Sequence, residues 1–520
     1  MRPGAAAGAR AGAVALAAGE VVAALVPGAP SLVGSVGQET IDRVPPAVED
    51  AAISLFGTND KLALVVGIVA VSLIIAAALG VAARRRFGVA VLGFVAFGAV
   101  GLAAAAGRPL GEPGPALLVA GAGVAAGLAT LRRLTPDTGA VAPGDPSGGK
   151  ASAGPAAPTD PPTGGRRRFL HLTAVAAGAV VAAGAAGGAL ARWVGRGTAP
   201  EEVRLAPAAR SLPPAAPAAS LEVDGLSPLF TPNRDFYRID TALAAPRIDL
   251  ETWRLRVTGM VDQPLELSFD DLSNMRQVEA DITLSCVSNE VGGDLVDNAR
   301  WRGVPLAELL EQAGVRPGAD QVVGRSVDGW TGGFPTAAAL DGRDALVALG
   351  MNGEALPVVH GFPARLVVPG LYGYVSATKW LSEIELTTLE GFDGYWVPRG
   401  WSKLAPVKTQ SRIDVPAGGA RLAPGRHAVA GVAWAPIRGV TRVEVSVDGG
   451  SWTEAVLSEP LGDAAWRQWR WAWDADPGRH RLRVRATDGE GEVQTELRAP
   501  PRPDGATGYH TVEVVVGDGS

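Results

Sequence analysis

Two stretches limit what this chain can fold into. Leu62 to Val81 and Phe87 to Ala106 are each 20 residues long and carry no charged side chain. At 1.5 Å rise per residue each forms a helix about 30 Å long, the thickness of a bilayer's hydrocarbon core. Two further runs extend the pattern: Ala11 to Val26, which contains Glu20, and Ala116 to Leu131, which is glycine-rich. A fifth, Leu172 to Leu190, follows Arg166-Arg167-Arg168-Phe169-Leu170.

Lys and Arg near span ends collect on the cytoplasmic side. Arg2 and Arg10, Arg84 to Arg86, Arg132 with Arg133, and the Arg166 cluster all fall on one side if five spans are drawn. The intervening loop of residues 27–60, with Glu39, Asp42, Glu49 and Asp50, then lies outside, as does everything after about Arg192. The expected location is a multi-pass protein of the cell membrane with its carboxyl-terminal part on the extracytoplasmic side. Arg-Arg-x-Phe-Leu before an apolar run resembles a twin-arginine export signal, with an ordinary positive flank as the alternative. The following span is expected to stay as an anchor, although alanine-rich sequence near Ala189 or Ala191 also suits cleavage.

Residues 1–134 therefore read as a four-span region, 135–165 as a flexible cytoplasmic linker rich in Pro, Gly, Ala and Ser, and 166–192 as the motif with the fifth helix. Residues 193–220 read as a second linker, rich in Pro and Ala. The chain has five histidines and none lies in the first four spans, which leaves no axial pair for a haem in the bundle. That bundle is expected to be an anchor or a docking surface. A net charge of -6 argues against nucleic acid as a partner.

From Leu221 the composition changes. Trp253-Arg-Leu-Arg-Val-Thr-Gly alternates with period two and predicts a strand. Ser-Phe-Asp-Asp-Leu within 265–272 predicts a helix start, and Pro305 to Ala313 a helix ended by Gly314. Strands and helices mix without a βαβ period, so residues 221–404 read as an α+β domain. Residues 405–520 hold short alternating strands (Val429–Trp434, Val440–Asp448, Trp469–Trp473, His480–Ala486, Tyr509–Val516) with Asp-Gly and Pro-Gly turns. They predict an immunoglobulin-like β-sandwich whose tryptophans are core. The expected fold class is thus multi-domain: all-α transmembrane helices, an α+β domain, and an immunoglobulin-like β-sandwich.

Cys286 is the only cysteine in 520 residues, so it makes no internal disulfide. It is either an inert buried side chain, an intermolecular bridge, or a thiolate kept for chemistry. Polar residues without an evident structural duty cluster in four blocks. These are Thr231-Pro-Asn-Arg-Asp-Phe-Tyr-Arg238, the loop around Cys286, His360-Gly-Phe-Pro-Ala-Arg365 continuing to Tyr372 and Trp380, and Gly394-Tyr-Trp-Val-Pro-Arg-Gly-Trp401.

In this order and spacing the blocks resemble the molybdopterin domain of the sulfite oxidase family, over some 300 residues from Leu221 to the carboxyl end. The resemblance implies a molybdenum-molybdopterin cofactor with a single pyranopterin, and Cys286 as the protein's thiolate ligand to the metal, a soft donor suited to it. It places Asn233, Phe236, Tyr237, His360, Arg365, Ser376, Thr378 and Lys379 around the cofactor, with His360 and Arg365 at positions that bind the pterin and its phosphate. It makes Arg238 the arginine that helps hold an anionic substrate. It makes Tyr395 the tyrosine near the oxo ligand, although an aromatic packed under a loop is an equal reading. It implies that the sandwich mediates a homodimer.

One departure stands out. Where sulfite oxidases follow the cysteine with Ala-Gly-Asn-Arg-Arg, this chain has Val287-Ser-Asn-Glu290-Val, so the pocket loses positive charge for a dianion. The expected activity is two-electron oxygen-atom transfer on a small oxyanion, with reduction of an S-oxide or N-oxide, or a non-catalytic binding module, as alternatives. No flavin fingerprint, haem motif or iron-sulfur cysteine set is present, so electrons are expected to pass to a separate partner, a cytochrome or a membrane redox component.

Overall fold

The computed structural model describes residues 3–26, 29–45, 60–107, 113–135 and 197–517, with isolated positions between 48 and 56. The twin-arginine-like motif, the fifth span and the linker from residue 136 lie outside the described residues. The chain divides into two compact units: Met1–Arg196 with Thr241–Ala244, and Gly197–Asp240 with Ala245–Ser520.

The first unit contains α1 (Pro3–Leu25), α2 (Leu32–Arg43), α3 (Asp60–Ala83), α4 (Phe87–Ala106) and α5 (Pro113–Leu134). All but α2 are long and apolar enough to cross a membrane. The first exceeds the run read from sequence through the Gly- and Ala-rich residues 3–10, and the last through Pro113–Pro115 at its start and Arg132–Leu134 at its end. Close packing rests on small residues, since apolar side chains gain little from contact with each other over contact with lipid. A Cβ on Gly8 would come within 2.1 Å of the Ala76 carbonyl, and one on Gly4 within 2.7 Å of the Gly80 carbonyl. Gly4, Gly8 and Gly12 thus form a seam along one face of α1. Helix α2 falls in a segment read as loop; Ser31 caps it, its hydroxyl accepting from the Gly34 amide at 2.9 Å.

In the second unit, strands β1 (Leu255–Gly259), β2 (Leu265–Leu267), β3 (Val278–Ser285), β4 (Val296–Pro305), β5 (Gln321–Ser326), β6 (Thr331–Pro335), β7 (Leu346–Met351), β8 (Glu354–Ala355), β9 (Arg365–Val367) and β10 (Leu381–Thr387) build two five-stranded sheets. One runs β3-β4-β7-β8 with β9 on β7; the other runs β2-β1-β10-β5-β6. Helix α6 (Phe269–Asn274) starts at a Ser268/Asp271 capping box, and α7 (Leu306–Ala313) ends at Gly314 with φ 68°. Strand β3 is buried along nearly its whole length, and its side chains enter a core with Phe236, Trp301, Met351 and Phe362. It pairs antiparallel with β4, Ser285 opposite Val296, so the hairpin connection is the segment from Cys286 to Leu295.

The carboxyl-terminal part comprises β11 (Gln410–Val415), β12 (Arg421–Leu422), β13 (Gly425–Trp434), β14 (Val440–Val447), β15 (Thr453–Glu454), β16 (Val456–Leu457), β17 (Arg467–Ala475), β18 (Gly478–Asp488) and β19 (His510–Val516). Sheets β11-β13-β17-β16 and β12-β19-β18-β14-β15 share one core, including Val429, Val443, Trp469, Leu482 and Val514. It is a two-sheet sandwich, and Trp469 and Trp473 are core.

Residues 197–220, expected as a spacer, instead lie along this unit. The Ala209 amide donates to the Gln277 carbonyl at 2.9 Å, the Leu212 amide to Glu279 at 2.8 Å, and Ala219 is buried. Backbone hydrogen bonds to the sheet edge turn a Pro- and Ala-rich segment into a strap, which composition alone does not register.

Candidate functional site

Cys286 sits where β3 ends and the chain must reverse. Its amide donates to the Leu295 carbonyl at 2.9 Å, and the Asn289 side chain accepts from the Leu295 amide at 3.0 Å, which closes the loop. The thiol is nearly buried and lies 2.9 Å from the Ser288 hydroxyl. Burial pushes the thiol's pKa up, and the Ser288 hydroxyl opposes this.

Four other expected residues, Phe236, Tyr237, His360 and Arg365, form one connected group that Tyr237 links to Cys286. Phe236 stacks on Tyr237 at 5.4 Å and meets Trp301 and His360 edge-on, at 5.8 and 5.6 Å. This aromatic platform holds the buried Tyr237 phenol where the charges of Cys286, Arg365 and Asp297 act on it; burial first, then Cys286, push its pKa well up. The Tyr237 amide donates to Asp297 at 2.6 Å. Cys286 and Arg365, 79 positions apart in sequence, thus share one neighbour.

Arg365 is the most telling member. It is 6% exposed, begins β9, and lies over the Trp301 ring with its Cζ 5.0 Å from the centroid. Its guanidinium donates to the His360 carbonyl at 3.0 Å and the Ala377 carbonyl at 3.4 Å, while Nε is buried without a hydrogen-bond partner. Among the described residues no carboxylate pairs with it. Burial lowers its pKa to about 10. A buried cation held by two carbonyls and a ring face, with no carboxylate beside it among the described residues, costs several kcal/mol, so the arrangement suits an anion. The Thr378 hydroxyl is likewise buried without a partner.

His360 is 3% exposed and its Nε2 lies 2.6 Å from the Asn233 carbonyl. A carbonyl only accepts, so Nε2 carries the proton and Nδ1 is an acceptor. Burial, with Arg365 and Arg238 nearby, pushes its pKa down to about 4, so the ring is neutral at pH 7 and brings no charge to an anion. The Asn233 side chain donates to Glu354 at 2.5 Å and to the Met351 carbonyl at 3.2 Å, and accepts from Asn352 at 2.9 Å, so its amide ties strands together. Ser376 turns its hydroxyl back to the Leu371 and Tyr372 carbonyls. Arg238 is half exposed and pairs with Asp240 at 3.3 Å; Lys379 pairs with the same carboxylate. Tyr395 donates its amide to the Thr331 carbonyl of β6 at 3.0 Å, and Arg399 of its own segment stacks over its ring at 3.7 Å. Glu290 is exposed on the loop.

The structure adds residues to which the sequence reading gave no role. Tyr372 is 3% exposed, and burial raises its pKa to about 12, with Cys286 among the charges that act on it. Asp297 accepts from Thr231 at 2.8 Å as well as from Tyr237, and burial raises its pKa to about 6. From the sandwich, Arg412 donates to the Gly293 carbonyl at 2.8 Å, to Ser227 at 2.8 Å, and to Asp414 at 2.7 Å. His510 accepts the Ile413 amide at 2.9 Å, and its ring occupies the space where a Cβ on Gly292 would come within 2.2 Å. Gly292 also has φ 81°, a left-handed conformation. The sandwich therefore grips the Cys286 loop at two adjacent glycines. The scarcity of histidine was the available signal for His510.

The chain is similar to several known proteins. Residues 242–396 match the model of the oxidoreductase molybdopterin binding domain. The mitochondrial sulfite oxidase of Rattus norvegicus is 33% identical over 287 residues, covering 46% of this chain and 52% of that protein. The uncharacterized oxidoreductase YuiH of Bacillus subtilis is 38% identical over 153 residues, 29% of this chain and 74% of its own. Among solved structures, the sulfane dehydrogenase SoxCD from Paracoccus pantotrophus superposes with a TM-score of 0.50 at 26% identity, covering 57% of this chain and 85% of that one. The chain spans about half the length of the mammalian sulfite oxidase it matches. With a solitary cysteine at the end of β3, an uncompensated buried arginine on β9 and these relatives, the chain belongs to the sulfite oxidase family of molybdenum-cofactor oxidoreductases.

Proposed function

We propose that this enzyme is a membrane-anchored oxidoreductase whose second unit works outside the cytoplasm. It oxidises a small sulfur-containing anion by two-electron oxygen-atom transfer and gives the electrons to a separate carrier. The observation that carries the reading is Arg365: a buried guanidinium with an unmatched Nε fits a phosphate that forms part of a bound cofactor. The other donors fit the same group. Cys286 would hold the metal as thiolate, because coordination to a metal deprotonates a thiol outright. Lys379 would add a cation at the cofactor's edge, and Thr378 a hydroxyl.

The bound molybdenum and its dithiolene supply the redox change itself. The chain's own residues do the rest. Neutral His360 accepts a hydrogen bond at Nδ1, and the Phe236 platform keeps water away from one side of the site. Tyr237 stays protonated and donates; Arg238 attracts an anionic substrate, moderated by Asp240. Oxidation is favoured over S-oxide or N-oxide reduction because two of the three relatives described carry names for oxidation. The immunoglobulin-type character of the sandwich, and its use in a homodimer, remain part of this proposal.

The test is metal content followed by a substrate screen. Purified protein is expected to hold about one molybdenum per chain, and Cys286→Ser to fold but lose turnover by about 10³-fold or more. Sulfite and thiosulfate with an artificial acceptor, against sulfoxides with a reduced dye, decide direction. Turnover on sulfoxides alone would reverse it. A reporter after Ser520 should be active outside the cytoplasm, and Arg166→Lys with Arg167→Lys should trap it inside.

A further inference from the structure

The first unit holds an open-sided cavity of about 570 Å³ among its helices, within the size range of small-molecule sites. Leu16, Val33, Ile68, Phe97 and Val119 are among the side chains of its wall. The polar lining residues among those described are Glu20, Asp60 and Ser72, and none is Lys or Arg. Two of these are occupied by local structure. Ser72 donates back to the Ile68 carbonyl at 2.7 Å, and Asp60 accepts the Lys61 amide at 2.7 Å. Glu20 is different. It lies inside a helix long and apolar enough to span a membrane, held at 2.7 Å by the Ser31 hydroxyl that begins α2. A carboxyl group in such a helix is costly and marks a functional place.

We propose that this cavity binds a lipid-soluble quinone, with Glu20 hydrogen-bonded to its head. The proposal rests on the reading that the four helices span the membrane. The chemistry of the wall selects the ligand. A phospholipid head carries a phosphate, and the described wall offers no cation to meet it. A quinone head is neutral, planar and bears two carbonyl oxygens, and its isoprenoid tail matches the apolar remainder. A carboxyl group donates to the quinone carbonyl when protonated and accepts from the hydroquinone hydroxyl when ionised.

Gly67 provides a clean way to fill the site, because it lines the cavity and a Cβ there meets nothing within 4 Å. Full-length protein in detergent is photolabelled with an azido-quinone bearing a decyl tail, and the modified residues are mapped by mass spectrometry. The expected result is saturable labelling of cavity residues, displaced by unlabelled decylubiquinone. Gly67→Phe should reduce it at least about 10-fold, and Glu20→Gln should weaken half-saturation about 10-fold, the scale of a lost charge-assisted hydrogen bond. Val95→Phe, on an exposed part of α4 outside the cavity wall, should label as wild type. Labelling spread evenly over outward-facing side chains, labelling unaffected by Gly67→Phe, or displacement by phosphatidylglycerol but not by quinone overturns the proposal. Resistance to alkaline carbonate extraction from membranes is read in parallel. A chain that labels but washes off keeps the site and loses the anchor; one that resists washing but does not label loses the site alone.

Discussion

At the scale of single residues, a side chain's environment says more than its identity. Arg365 resembles any arginine in sequence, yet it is buried over Trp301 with no carboxylate beside it among the described residues. Two opposite consequences follow for Arg365→Met. In cofactor-free protein, replacing a buried, uncompensated cation by an apolar side chain of similar length should leave stability unchanged or raise it by about 1–4 kcal/mol. In the loaded protein, cofactor content should fall at least about 10-fold, with Arg365→Lys intermediate because it keeps charge without the planar fork. Thermal midpoints of both forms and the fluorescence of released pterin check this. A large loss of stability in the cofactor-free protein would show instead that Arg365 is structural. Cys286 was legible in the sequence because it is unique. Arg412, lying 126 positions further on, was not, because an arginine carries no sign in sequence of which loop it will meet.

Elements decide how precisely the thiol is held. The loop from Cys286 to Leu295 has its own closing hydrogen bonds, but its far side leans on β11 and β19 of the sandwich through Arg412 and His510. Gly292→Ala should therefore destabilise the second unit by about 1–3 kcal/mol, from a disfavoured left-handed backbone and the collision with the His510 ring. Trimming the ring, as in Gly292→Ala with His510→Ala, should recover the steric part and leave the backbone part. Denaturant melts of the single and double variants measure the split; strict additivity would exclude a collision. Arg412→Met should lower turnover and shift the thiolate-to-metal absorption at unchanged metal content, with Arg412→Lys partly restoring both. Strand β19 was readable from its period-two alternation, and α6 and α7 from their caps, whereas β11, which carries Arg412, was not read as a strand. Helix α2 and the strap of residues 197–220 were not legible either. The strap is not periodic and is settled by tertiary partners, while α2 starts at the Ser31 cap inside a segment read as an acidic loop.

For the whole molecule, the same buried groups tie stability to acidity. His360 and His510 are both pushed down to about 4 by burial, below the value of about 6.5 that they regain on unfolding. Between pH 4 and 6.5 the unfolded chain therefore binds more protons at these sites, and acid favours unfolding. Each contributes roughly 3 kcal/mol, fully present above pH 6.5 and lost as pH falls to about 4. Asp297 works in the other direction. Burial raises it to about 6, above its unfolded value, so between pH 4 and 6 the folded state holds the extra proton and acid favours folding, again by roughly 3 kcal/mol. Two groups outweigh one. The midpoint of the second unit's unfolding in the full chain, followed by tryptophan fluorescence, should fall by several degrees between pH 7 and pH 4.5. Asp297→Asn removes the opposing contribution and should steepen that fall by about half as much again. His510→Phe, which cannot charge, should flatten it, while giving up the bond to the Ile413 amide at every pH. A midpoint that stays level from pH 7 to pH 4.5 in all three proteins would mean that these groups are solvated in the folded state, and that the sandwich does not shield the back of the cysteine loop from water.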